Sequence, residues 1–106
     1  MSNMYKLEFL PIAKKDIDDI IYYISKKLKN RTAAINLSKE FIQGANSILD
    51  FPYGSSEYIP KYKLKNIYRS IKIKNFLMFY VVNEEEKIIT IVRILYQKMD
   101  ISNILE

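Results

Sequence analysis

The chain has 106 residues, with 17 Lys+Arg against 12 Asp+Glu for a net charge of +5, and is 49% hydrophobic. That is one globular domain, residues 1–106, too apolar for a disordered chain and large enough for one core but not two. Histidine and cysteine are absent, which excludes disulfides, thiolate and imidazole metal sites, cysteine nucleophiles and histidine acid–base chemistry.

The opening residues, Met1 to Lys6, lack the apolar stretch of a secretory leader. The longest apolar run, Phe76 to Val82, falls far short of the roughly 20 residues needed to cross a bilayer. A cytoplasmic location with no membrane partner is therefore expected. Tyr5 to Leu10 alternates, with Tyr5, Leu7 and Phe9 on one side and Lys6 and Glu8 on the other, as in a half-buried strand. Pro11 suits a first helical turn. Over 12–29, Ala13, Ile17, Ile20, Ile21, Ile24 and Leu28 form one apolar stripe of a helix. Asn30 breaks that helix and can cap the next.

The second helix spans 31–50. Ala34, Leu37, Phe41, Ala45 and Ile48 make its stripe, Ile35, Ile42 and Leu49 widen it, and Phe51-Pro52 ends it. So short a connection implies an antiparallel helical hairpin. Residues 52–66 are the one real loop, with two of the three prolines. Ile67 to Lys74, Phe76 to Val82 and Lys87 to Tyr96 read as strands, and the last two are apolar on nearly both faces, hence central. The tail after Tyr96 is polar apart from Ile101, Ile104 and Leu105. The order β-α-α-β-β-β predicts an α+β fold. The helical hairpin packs on one face of a small, mostly antiparallel four-stranded sheet, which the first strand joins.

The charge is uneven. Residues 1–56 carry 8 basic and 6 acidic residues, residues 57–74 carry 6 and 1, and residues 75–106 carry 3 and 5. Lys61, Lys63 and Lys65 alternate and, in an extended segment, point one way. Lys72 and Lys74 share a strand parity with Tyr68, against Ile67, Ile71 and Ile73 on the core side. The expected result is a basic, tyrosine-bearing surface opposite the helices, suited to a nucleic acid or another polyanionic target. A merely solvated lysine-rich face is the plain alternative. By parity Arg69 falls on the buried side, where it needs a carboxylate such as Asp16 or Asp19; a phosphate contact is the rival reading. Arg93 carries the same ambiguity. Glu84-Glu85-Glu86 reads as a solvated turn. Neither a Gly-rich phosphate loop nor a carboxylate cluster with metal spacing is present in the sequence.

Three stretches carry a family resemblance. Tyr68 to Tyr80 (YRSIKIKNFLMFY), Ile91 to Asp100 (IVRILYQKMD), and Phe9 to Asp16 followed by Ile20 to Ile24 together resemble the RelE/ParE superfamily. These are the small toxins of type II toxin–antitoxin, or plasmid stabilization, modules. The resemblance covers nearly the whole chain and implies growth inhibition and a cognate antitoxin as partner; with neither a phosphate loop nor a metal-spaced cluster in the sequence, no cofactor or metal is expected. RelE-like members cut mRNA on the ribosome; ParE-like members poison DNA gyrase.

RNA cleavage requires removing the 2′-hydroxyl proton, neutralising the phosphorane and protonating the leaving oxygen. On the nuclease reading the resemblance assigns catalytic roles to Arg69, Lys98 and Tyr96. Lys98 matches an arginine after the last strand. Tyr96 stands where many relatives have histidine, and Leu77 where many have a second arginine; no tyrosine follows Lys98. Losing one such group typically costs about 2.7–4 kcal/mol. The two missing groups, with Tyr22-Tyr23-Ile24 and Ala33-Ala34 in the helical hairpin, favour the ParE-like branch. Lys61, Lys63, Lys65, Tyr68, Lys72 and Lys74 of the basic surface are the candidate nucleic-acid- or target-binding residues. A ribosome-dependent RNase and a non-toxic interaction module are the alternatives. The nuclease reading further requires Arg69 and Lys98 to converge on one concave site.

Overall fold

The computed structural model describes residues 4–105. Strand β1 (Lys6–Phe9) leads through Leu10 into helix α1 (Pro11–Tyr22), with proline in the first turn as expected. Residues Tyr23–Lys27 continue as a π-helical segment, and Asn30 caps α2 (Arg31–Asp50) by accepting a 3.0 Å bond from Ala33 N. Strands β2 (Arg69–Ile73), β3 (Phe76–Asn83) and β4 (Ile88–Tyr96) form a meander, and a short helix α3 (Ile101–Leu105) follows.

The strand order is β1-β4-β3-β2. β1 lies parallel to β4, while the other two pairings are antiparallel, so β3 and β4 are central as their two-sided apolarity predicts. The α1–α2 hairpin covers one face. Ala13, Leu37, Phe41, Ala45 and Ile48 meet Ile73, Met78, Tyr80, Ile89, Ile91 and Ile94 there. α2 rides close on β2: a Cβ at Gly44 would lie 2.6 Å from Ile73 Cδ1.

Several expectations need correction. The helical stripe fails at Leu28, which is 56% exposed. The π-helical turn holds more residues than an α turn and rotates Leu28 off the apolar line. Ile35 and Ile42 do not widen the α2 stripe but are exposed, and the sheet meets only the narrower face.

The second face of the sheet is not open. Tyr68, Phe79, Leu95 and Ile101 form a second apolar cluster, flanked by Tyr58, Leu64, Leu77 and Val92. The Tyr58–Leu64 part of the loop and α3 lie on it, so the domain holds two small cores separated by one sheet rather than one. The polar tail thus contains a structural element: Ser102, 1% exposed, bonds Tyr58 Oη at 2.9 Å and accepts from Lys61 N at 3.1 Å.

Finally, Tyr80 pairs with Ile91 and Phe79 with Arg93, leaving Val92 as the extra residue of a bulge. Ile91 and Ile94, three apart, consequently join the same cluster, which a regular strand does not allow.

Candidate functional site

The row Arg69–Tyr80–Ile91 crosses the sheet near the start of β2. Tyr80 is fully buried and donates to Pro52 O at 2.7 Å, so Ser55 Oγ, 2.5 Å away, donates to it in turn. Arg69 is drawn into the same loop. Its Nη1 donates to Ser55 O, its Nη2 lies 3.8 Å from Glu57, and its guanidinium sits 4.9 Å from the centre of the Tyr53 ring. The side chain is only 18% exposed. Arg69 is therefore on the buried side, as its parity predicts, but its partners come from the loop rather than from Asp16 or Asp19.

Asp16 instead serves Arg93. Nε and Nη2 of Arg93 donate to its two oxygens at 2.8 and 2.9 Å, and Ile94 N adds a third bond at 3.0 Å. The hydrogen bonds to Asp16 raise the Arg93 pKa further. Arg93 is a structural residue that pins α1 beside the β4 bulge.

Beyond Tyr53 lies a second polar group. Glu84 accepts from Tyr5 Oη at 2.6 Å, from Tyr53 Oη at 2.8 Å and from Lys87 Nζ. Lys87 also stands 5.2 Å from the centre of the Tyr5 ring. Those bonds, the one from Lys87 first, lower the Glu84 pKa to about 2 and raise the Tyr5 and Tyr53 hydroxyls. A carboxylate so firmly ionised is a poor general base near neutral pH. Glu84 is exposed in the β3–β4 turn, as expected, but it also ties that turn to Tyr5, just ahead of β1, and to the 52–57 loop. Its two tyrosine partners lie 79 and 31 residues away in sequence, and no local pattern points to them.

The other candidates lie elsewhere. Tyr96 pairs with Phe76, opposite Ile73, four residues along the ladder from the Arg69 row. That is about 13 Å along the strands before the two-strand step across the sheet is added. Lys98 follows in an exposed turn farther on. Tyr96 meets Phe76 edge-on at 6.0 Å and lines a mainly apolar groove of about 480 Å³ with Ile20, Tyr23, Ile24 and Leu28. Arg69 is therefore not brought together with Tyr96 and Lys98.

The expected basic face is also redistributed. Tyr68 is 5% exposed within the second core, so its ring is not offered to a base. Lys72 is exposed beside Leu77, whereas Lys74 occupies a left-handed turn position (φ 56°) and reaches Glu40 of α2 at 3.7 Å. They do not share a face. The 57–66 segment bends rather than extending, and Lys61 faces Asp100 at 3.7 Å. Lys63 and Lys65 are exposed on the same segment. Among the described residues, no group of three or more acidic side chains is placed to hold a metal ion. Nor is any helix there long and apolar enough to cross a membrane.

Residues 7–101 match the family described as ParE toxin of type II toxin-antitoxin system, parDE. No curated protein sequence matches the chain. Among solved structures, the fold is similar to that of a chain from the chromosomal ParDE TA system of P. aeruginosa. The TM-score is 0.70 at 18% identity, covering 90% of this chain and 98% of that one. It is also similar to a chain of the archaeal RelE–RelB complex from Pyrococcus horikoshii OT3. There the TM-score is 0.61 at 11% identity, with 89% and 96% covered. With the family match spanning most of its length, and the helical hairpin and four-stranded sheet in place, the chain belongs to the ParE toxin family of type II toxin–antitoxin systems.

Proposed function

We propose that this toxin arrests growth by acting on DNA gyrase rather than by cutting mRNA, and that a cognate antitoxin holds it in check. The observation that carries the reading is the separation of Arg69 from Tyr96 and Lys98. A phosphoryl-transfer site needs its cations and proton-transfer groups within hydrogen-bond reach of one phosphate. Here the nearest-matching groups lie at opposite ends of the sheet, and Arg69 is committed to Ser55, Glu57 and Tyr53. A protein-directed inhibitor needs no such convergence.

Family membership supports the antitoxin. Lys61, Lys63, Lys65 and Lys72 stand exposed and suit an acidic segment of that partner.

Two assays with the purified full chain test the reading. In a gyrase supercoiling reaction, inhibition or accumulation of cleaved plasmid is expected. In a reconstituted translation reaction programmed with ready-made mRNA, the message stays intact. Cleavage of the message only when ribosomes are present would overturn the gyrase reading and make Arg69 and Lys98 the first alanine targets.

A further inference from the structure

The net charge of +2 over residues 1–56 conceals a second basic cluster. Lys26, Lys27, Lys29 and Arg31 fall within six residues, and no acidic residue occurs between Ile20 and Lys39. All four are exposed at the tip of the helical hairpin. The nearest carboxylates in sequence are already engaged, Asp19 with Lys15 and Glu40 with Lys74. Among the described residues, no ion pair reaches the four tip cations.

Local physics disfavours this arrangement. Lys29 holds φ at 52°, a left-handed conformation that suits Gly or Asn. Arg31 opens α2, where the helix dipole repels a cation. Four like charges on one turn add their mutual repulsion. An arginine at the head of α2 beside three further exposed cations, which one Asp would relieve, is charge that the fold itself does not use.

We propose that the hairpin tip is a contact for the phosphate backbone of double-stranded DNA. Protein interfaces concentrate apolar residues at their centre and deplete charge there. Here the exposed apolar side chains Tyr23 and Leu28 line the groove beside Tyr96, and the remaining exposed side chains of the tip include four cations and no carboxylate. Flexible cations of one sign suit a repeating row of phosphates, which asks for charge rather than a fixed geometry. The proposal goes beyond the gyrase reading and does not depend on it, since bare DNA is the probe.

The test is binding of a labelled duplex of arbitrary sequence, followed by fluorescence anisotropy across a salt series. With four phosphates neutralised, log K should fall against log salt with a slope of about −3 to −4. The variant K26Q/K27Q/K29Q/R31Q should bind at least about tenfold more weakly and lose most of that slope. Lys6→Gln with Lys14→Gln removes charge elsewhere and should weaken binding less than about threefold. Lys29→Gly separates binding from folding: it should raise the Tm while weakening binding. Unchanged affinity of the fourfold variant, or no duplex binding at low salt, would overturn the proposal. So would displacement of the duplex by poly-glutamate as readily as by unlabelled duplex, which would assign the tip to an acidic protein. None of these outcomes bears on gyrase inhibition, which is read separately.

Discussion

Asp16 and Glu84 each gather three donors, yet they contribute differently because one is shielded from water and the other is not. The Asp16 and Arg93 side chains are only 13% and 20% exposed, and Asp16 also satisfies Ile94 N at the bulge. Asp16→Ala leaves a shielded guanidinium and a backbone donor without a partner. The expected loss is about 3 kcal/mol in urea unfolding. Lys15→Ala removes a pair that is mostly exposed on both sides and should change stability by less than about 0.5 kcal/mol. Glu84 acts through pH instead. Its folded pKa, about 2, lies below its ordinary 4.5. The stability it contributes is therefore complete above pH 4.5 and is lost as pH falls towards 2. Tyr5 and Tyr53 are raised above 10.0, so their share is complete below pH 10.0 and is lost at more alkaline pH. Glu84→Gln should flatten both arms of the stability–pH curve and return tyrosinate absorbance to an ordinary titration. A variant with both arms intact would mean that Tyr5 and Tyr53 do not bond Glu84 in solution.

At the scale of elements, Gly44 shows how tightly α2 sits on β2. Alanine there gains about 1 kcal/mol of helix propensity. Its Cβ, however, meets Ile73 Cδ1 at 2.6 Å and Ile71 Cδ1 at 3.0 Å, and overpacking costs about 1–3 kcal/mol. Gly44→Ala alone should be neutral to destabilising, and Ile73→Val alone should cost about 0.5–1.5 kcal/mol. The double variant lacks the closest clashing methyl. It should exceed the sum of the singles by about 1 kcal/mol in a double-mutant cycle. The elements whose regular period persists were readable from the chain. β3 alternates faithfully, with Phe76, Met78, Tyr80 and Val82 on the helix side and Leu77, Phe79 and Val81 on the other. Pro11 and Asn30 mark helix starts where expected. Reading failed where the period breaks: at Leu28 after the π-helical turn, and past Val92, where the bulge reverses parity. The candidate site was harder still. The buried position of Arg69 follows from parity, but its loop partners and the Tyr5–Tyr53–Glu84 tie depend on long-range contacts that no local pattern encodes.

At the scale of the molecule, two small cores share one sheet, and their covers differ in strength. The helix side is closed by the long hairpin, which contributes Ala13, Leu37, Phe41, Ala45 and Ile48. The other side is closed by a five-residue helix and an irregular loop, fastened through Ile101, Ser102 and Tyr58. A cover with so little regular structure of its own has few contacts to lose before it lifts, so it should open well below the free energy of global unfolding. Hydrogen exchange should reveal one cooperative unit in which the amides of Tyr58, Lys61 and Ile104 exchange together and ahead of Met78 and Ile91. Ile101, 7% exposed, is the anchor. Ile101→Ala should cost about 2–3 kcal/mol and speed exchange across 57–66 and α3, while protection in β1 and β4 changes only as far as global stability falls. Ser102→Ala removes one partner from both Tyr58 Oη and Lys61 N and should weaken the same unit by about 1–2 kcal/mol. If the loop and α3 instead exchange at the global rate, the two cores unfold as one. The sheet would then couple its faces too strongly for either cover to move alone.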